Sequence, residues 1–231
     1  MDAVFNRALP WSGGHGHFNS DLETFYQDFR AHRVSSVNNR LLNLERLGDF
    51  RMTRFIRDPR DLVVSGYFYH RQGAEPWCTL PNPTKDDWYF ANGVVPDGLR
   101  KAGGSYAMYL RSLSEEEGLL AELEFRQAHF ASMSEWPDSD PRILLLRYED
   151  VVADEVGSFR RMFVHYGLGA LERRLGRFFA SRYSAARLQR KDPHIRDPSS
   201  GQWRAHFTPR VRDAFESRWG KLIDQLGYAA D

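Results

Sequence analysis

Apolar positions along the chain switch between helical and extended spacing. In DLETFYQDFRAH (21–32), Leu22, Phe25, Tyr26 and Phe29 recur at helical intervals, and Asn19, Ser20 and Asp21 ahead of them are N-cap candidates. RLLNLERLGDF (40–50) predicts a short helix stopped at Gly48, and FRMTRFI (50–56) alternates as a strand does. After Pro59, DLVVSGYFYHR continues as a helix. Residues 72–98 are rich in Pro, Gly, Asn and Asp, which predicts a long excursion on the surface. Helical patterns follow over 99–112, 115–133, 154–166, 169–181 and 209–228, the last opened by Pro209. PRILLLRYED (141–150) holds an apolar run bounded by turn residues, the pattern of a buried parallel strand. There is no internal repeat and no low-complexity linker. Strands separated by helices predict an α/β fold, an open parallel sheet flanked by helices, with ligands beyond the carboxyl ends of the strands. The 231 residues fit a single domain, 1–231, around one core.

Composition narrows the function classes. Hydrophobic residues make up 42% and charged residues 27%, as in soluble globular proteins. A net charge of +1 excludes a global basic field, so no nucleic-acid partner is expected and any anion site must be local. Cys78 is the sole cysteine, which rules out an internal disulfide. In PWCTLP it reads as a small hydrophobe rather than a nucleophile, and no ligand spacing implies a metal. No stretch reaches the roughly 18 apolar residues of a membrane span, and MDAVFNRALPWSGG lacks the layout of a secretory signal. The expectation is a cytoplasmic protein without a membrane partner. The sequence sets no oligomeric state.

RFIRDPRDLVVSGYF (54–68) is the first candidate site. A strand delivers Arg57 to the sheet edge, Asp58 suits an N-cap, Pro59 the first helical position, and Asp61 a reciprocal cap. The helix start offers backbone N–H groups and a positive dipole end, and Arg57 adds a forked cation suited to phosphate oxygens. Ser65, eight residues beyond Arg57, has a hydroxyl to donate to the same anion. The competing reading is a capped helix with Arg57 paired to a nearby carboxylate. Arg54 and Arg60 read as solvated surface charges.

A second segment, HIRDPSSGQWRAHFTP (194–209), changes the balance. Together the two resemble the PAPS-dependent sulfotransferase family, particularly its compact bacterial members, over roughly residues 33–228. The family's Arg-x-Pro-x-Asp helix start with a downstream Ser is written here as Arg57, Pro59, Asp61 and Ser65. Its C-terminal Arg-Lys-Gly-x-x-Gly-x-Trp, followed by Phe-Thr, is written as Arg196, Asp197, Pro198, Ser199, Ser200, Gly201, Gln202 and Trp203, then Phe207 and Thr208. The resemblance implies a 3′-phosphate pocket holding Arg57, Ser65, Arg196 and Gly201. Asp197 and Pro198 replace the central Lys-Gly, exchanging a cation for an anion and removing a backbone N–H, which puts more of the phosphate on Arg196. LLRYEDVVAD resembles the family's Tyr-Glu-Asp strand end, which implies Tyr148 beside the adenine; the alternative is a core tyrosine. Trp203 reads as a packing anchor.

The family's phosphosulfate-binding loop, a strand followed by a segment like Pro-Lys-Ser-Gly-Thr-Thr-Trp, is not found. The glycine-rich LPWSGGHGHFNS (9–20) has no lysine and no convincing strand before it. It reads as a flexible turn, with phosphate cradling by Gly13, Gly14 and Gly16 as the minor alternative. Hence the expected P-loop-like sulfotransferase architecture is either N-terminally incomplete or has lost this loop. The family often places a histidine base before the Arg57 strand; His32 is the nearest candidate, with His15, His17 and His70 as alternatives. EEE at 115–117 reads as a charged helix N-terminus. Arg190 and Lys191 are placed to offset Asp197, and Ser184 matches a serine ahead of the final loop. Trp77, Trp88, Tyr89 and Phe90 suggest a lining for an apolar or glycosidic alcohol.

The resemblance implies transfer of a sulfuryl group from 3′-phosphoadenosine 5′-phosphosulfate (PAPS), without a metal, to a hydroxyl or amine of a small-molecule or glycan acceptor. The alternative is an inactive module, or an enzyme fragment, that retains only the 3′-phosphate pocket. A kinase or NTPase is weaker, because no Gly-x-x-x-x-Gly-Lys-Ser/Thr occurs.

Overall fold

The computed structural model describes residues 4–5, 7, 14–18, 21–38, 40–182 and 200–229. Its first elements are β1 (His15–His17), α1 (Leu22–Asp28), β2 (Val34–Ser36), β3 (Met52–Ile56) and α2 (Pro59–Gln72). Then come α3 (Asp97–Ala102), α4 (Tyr106–Ser112), α5 (Glu115–Phe125), α6 (Gln127–Ser134) and β4 (Ile143–Arg147). α7 (Tyr148–Ala153), α8 (Glu155–His165), α9 (Ala170–Arg182), α10 (Trp203–His206) and α11 (Pro209–Gln225) complete the order. The chain forms two compact units, Met1–Arg57 with Pro137–Pro198 and Asp58–Trp136 with Ser199–Asp231.

The first unit carries the strands. β3 and β4 pair in parallel with Met52 opposite Ile143 and Ile56 opposite Arg147, and β1 pairs in parallel with β2. The sheet expected from the apolar runs is therefore present as two short parallel ladders flanked by helices. Phe5, Leu146, Phe159, Met162, Phe163 and Ala180 share one core, where Phe5 meets Phe163 edge-on at 5.7 Å. Fully burying a leucine, phenylalanine or methionine of this kind is worth about 1.5–3 kcal/mol. Gly176 admits the close approach of α9 to α8, since a Cβ there would lie 2.4 Å from Phe163 Cε2. Arg54 is not a solvated surface charge: it is 7% exposed, and its Nη1 donates to both oxygens of the Asp138 carboxylate.

In the second unit, α2 packs on α4 and α5, burying Val63, Val64, Tyr67 and His70. The helix expected over 99–112 divides into α3 and α4 at Gly103 and Gly104, whose φ values of 73° and 83° favour glycine. The segment at 115–133 divides at Arg126, which caps both α5 and α6. Ser114 and Glu117 close a reciprocal cap, while Glu115 accepts from His206 and Glu116 from Thr208 and Arg210, so the acidic triplet caps α5 and ties down the C-terminal segment. Residues 72–98 are more than a surface excursion. Cys78 and Trp88 are both 0% exposed, and Trp77 stacks on Phe125 at 5.4 Å.

A buried charged group lies under these aromatics. Glu122, 0% exposed, accepts hydrogen bonds from the Tyr106 hydroxyl and from His70 Nδ1, each at 2.8 Å, and pairs with Arg126 at 2.8 Å. Burial and the neighbouring Glu122 carboxylate raise the Tyr106 pKa well above its ordinary value. Among the described residues, no helix is long and apolar enough to cross a membrane.

Candidate anion-binding site

The ladder register determines which residues meet past the strand ends. With Ile56 opposite Arg147, the next residues along each strand are Arg57 and Tyr148. The Arg57 guanidinium lies over the Tyr148 ring, 4.7 Å from its centroid. Its Nε is buried without a hydrogen-bond partner, and among the described residues no carboxylate lies within ion-pair distance. A capped helix with Arg57 paired to a neighbouring acid is therefore not what forms. Buried polar groups are usually satisfied, so an orphaned guanidinium nitrogen beside an aromatic plane has the chemistry of an anion receptor.

In the second unit, Asp58 accepts the Arg60 N–H at 2.9 Å, which caps α2 with Pro59 at its first position. The Arg60 side chain turns back onto the same carboxylate at 3.0 and 2.8 Å, donates to the Ala229 carbonyl at 2.9 Å, and lies 3.9 Å from the Trp203 ring centroid. At 7% exposure, Arg60 is a structural ion rather than a solvated one. Asp61 does more than the reciprocal cap expected of it. Its carboxylate, 1% exposed, accepts the backbone N–H of Gly201 at 2.6 Å and of Trp203 at 3.0 Å. One turn further along the same face of α2 is Ser65, half-buried. Gly201 has φ 79°, a left-handed conformation that suits glycine. Trp203, 2% exposed, is the packing anchor expected, with the guanidinium groups of Arg60, Arg204 and Arg212 around its ring. Arg196 lies outside the described residues, as do Gly13, Ser184, Arg190, Lys191, Asp197 and Pro198.

The glycine-rich N-terminal segment contains a strand after all, β1, followed by α1 and then β2, a small parallel βαβ unit. Isolated alternation of three residues is too short to be recognised from sequence. Asp21 caps α1 by accepting the Thr24 N–H at 3.1 Å, and the Thr24 hydrogen bonds lower its pKa. Gly16 is covered by the His32 ring, since a Cβ would lie 2.3 Å from its Cδ2, and His32 stands edge-on to Phe18 at 6.0 Å. His15 Nε2 and His17 Nδ1 both meet the Ser36 hydroxyl, at 3.0 and 2.9 Å. One hydroxyl proton serves only one ring, so the other imidazole must donate. The alternative base His70 is committed to Glu122 inside the second unit.

The comparisons with known proteins agree with this architecture. The model of the family described as "Sulfotransferase domain" matches residues 46–227. Two curated relatives, the omega-hydroxy-beta-dihydromenaquinone-9 sulfotransferases Stf3 of Mycobacterium bovis and Mycobacterium tuberculosis, are each 33% identical over 91 residues. That match covers 38% of this chain and spans only 20% of the relatives' length. Mouse sulfotransferase SULT7A1, solved in complex with PAP, superposes with a TM-score of 0.50 at 17% identity, covering 95% of this chain and 78% of that one. Retinol dehydratase, solved with androsterone and PAP, gives a TM-score of 0.47 at 19% identity over 92% of this chain and 64% of that one. The fold and the matched region define a sulfotransferase-type α/β protein. The chain belongs to the sulfotransferase domain family.

Proposed function

We propose that the chain transfers a sulfuryl group from PAPS to a hydroxyl or amine of a small-molecule, glycan or lipid acceptor in the cytoplasm. The observation that carries this reading is Arg57, a guanidinium with a buried, unpartnered Nε held over Tyr148 at the carboxyl end of a parallel ladder. A phosphate oxygen would satisfy that nitrogen through a charge-assisted hydrogen bond, and the tyrosine ring offers a surface for an adenine. Ser65 and Arg196 are proposed as further donor contacts on the strength of the family motif, each to be tested individually; Gly201, whose N–H is given to Asp61, is proposed only as a point of close backbone approach to the nucleotide.

In the reaction, the acceptor oxygen or nitrogen forms a bond to sulfur as the bond from sulfur to the bridging phosphate oxygen breaks. Adenosine 3′,5′-bisphosphate (PAP) departs with that electron pair, and a base takes the acceptor proton. His32 is retained as the candidate base. Trp77 and Trp88 are used in packing, so Tyr89 and Phe90, 58% and 44% exposed, are the aromatic residues of that segment proposed to meet an apolar acceptor. The mycobacterial relatives are named for an omega-hydroxy acceptor, consistent with a hydroxyl as the nucleophile.

The test is incubation of the purified chain with sulfur-labelled PAPS and a panel of alcohols, phenols, amines and lipid alcohols. Acceptor-dependent labelling with stoichiometric PAP release is the expected result. PAP binding with no turnover on any acceptor would identify an inactive nucleotide-binding module instead, and failure of both would overturn the reading.

A further inference from the structure

Arginines are concentrated in one part of the first unit. Residues 155–182 hold six arginines against two glutamates, although the whole chain has a net charge of only +1. On α9, Arg173, Arg174 and Arg177 are exposed and have no carboxylate partner among the described residues. Glu172 is occupied in capping its own helix, accepting the Gly169 N–H at 2.7 Å.

Two large apolar side chains share this outer face. Leu171 and Phe178 are each 63% exposed. They lie seven positions apart, two turns along one side of the helix, with Arg174 between them. The opposite side, Gly176 and Ala180, is the one buried. The helix packed against α9 continues the pattern, with Arg160 and Arg161 exposed and Val164 53% exposed.

We infer that the outer face of α9 docks on an anionic lipid surface. Phosphate headgroups accept from the guanidinium groups, while Leu171 and Phe178 reach past them to the acyl boundary. Single apolar side chains interleaved with arginines suit that layered medium. A protein partner would call for a contiguous apolar patch with its charges at the rim. The lack of a spanning segment led to the expectation of no membrane partner, but it does not bear on a helix lying on the surface. This inference does not depend on the sulfotransferase reading.

The experiment is co-sedimentation of the full chain with vesicles of phosphatidylcholine alone or with a third phosphatidylglycerol, at low and high salt. Wild type is expected to bind the phosphatidylglycerol vesicles, to release with salt, and to leave neutral vesicles unbound. Arg174→Ala with Arg177→Ala should lower partitioning at least tenfold, given about 1 kcal/mol per basic residue near such a surface. Leu171→Ser with Phe178→Ser should weaken it independently, with melting curves confirming that both variants fold. The inference fails if wild type ignores anionic vesicles or binds neutral ones equally. It fails also if the serine variant binds undiminished and a soluble polyglutamate peptide competes fully, which would point to an acidic protein partner.

Discussion

The Asp61 carboxylate, near the start of α2, accepts the backbone N–H groups of Gly201 and Trp203 at 2.6 and 3.0 Å while only 1% exposed. Two segments separated by 140 positions are thus joined by one side chain. They are the two segments whose sequence motifs carry the family resemblance. The aspartate acts as a fastener inside the second unit, and the Arg60–Asp58 pair with Trp203 against it reinforces the same junction.

Replacing this fastener should therefore cost stability. Asp61→Asn keeps the shape but offers one acceptor oxygen and turns an NH2 toward a backbone donor. Hydrogen bonds to a charged acceptor are worth about 1.5–3 kcal/mol, so urea unfolding should show a loss of about that size. An unchanged midpoint would mean that the 201–203 amides find other partners.

Gly201→Ala tests the same junction from the other side. A residue with a Cβ at φ 79° pays roughly 1–2 kcal/mol in left-handed strain. The new Cβ would also lie 2.8 Å from Arg204 Nη1, at the flexible end of a side chain that can shift. Thermal melting of the single and double variants with Asp61→Asn should reveal non-additive losses, because both act on one contact.

The buried Glu122 group should be less tolerant. Glu122→Ala leaves Arg126 and His70 without their carboxylate, and breaking a buried pair by removing one partner typically costs about 3–5 kcal/mol. Gly66→Ala attacks from the neighbouring helix, with a Cβ 2.1 Å from Glu122 Oε1, and should cost about 1–3 kcal/mol by overpacking. Chemical denaturation of both variants checks the order.

Much of this fold was readable in advance because the relevant signals are local. Pro59 after an apolar run, Gly48 after the short turn Leu44–Leu47, and the acidic start of α5 at 115–117 each act within a few residues, whereas the break at Gly103–Gly104 was not read from the pattern over 99–112. β3 was legible from its alternation and β4 from its apolar run, five residues each, whereas β1 and β2 are three residues each and carry no period to detect. The burial of Arg54 and Arg60 was missed because it depends on Asp138 and on Trp203 with Ala229, partners 84 to 169 positions away. At the candidate site, Arg57 and Tyr148 were each singled out from motif, but their contact follows from the strand register, which no local pattern states.

Burial pushes the Cys78 thiol up to about 12, and burial likewise pushes Tyr166 up to about 12. Both are thus held neutral in the folded chain, whereas in the unfolded chain they ionise from about pH 9 to 10. The stability they contribute is fully present below pH 9 and is lost as pH rises from there toward 12. Urea midpoints should fall across that window, and Cys78 should resist iodoacetamide at pH 8 until the protein is unfolded. Rapid alkylation of the native protein would show that the thiol is reachable.

In the proposed function, Arg57 receives the 3′-phosphate of the donor nucleotide. Calorimetric titration with adenosine 3′,5′-bisphosphate, against 5′-AMP and on Arg57→Ala, tests it most directly. Binding should require the 3′-phosphate and weaken tenfold or more without Arg57, since a charge-assisted contact is worth about 1.5–3 kcal/mol. Equal affinity for 5′-AMP, or a folded Arg57→Ala variant that binds the bisphosphate as wild type does, would contradict it.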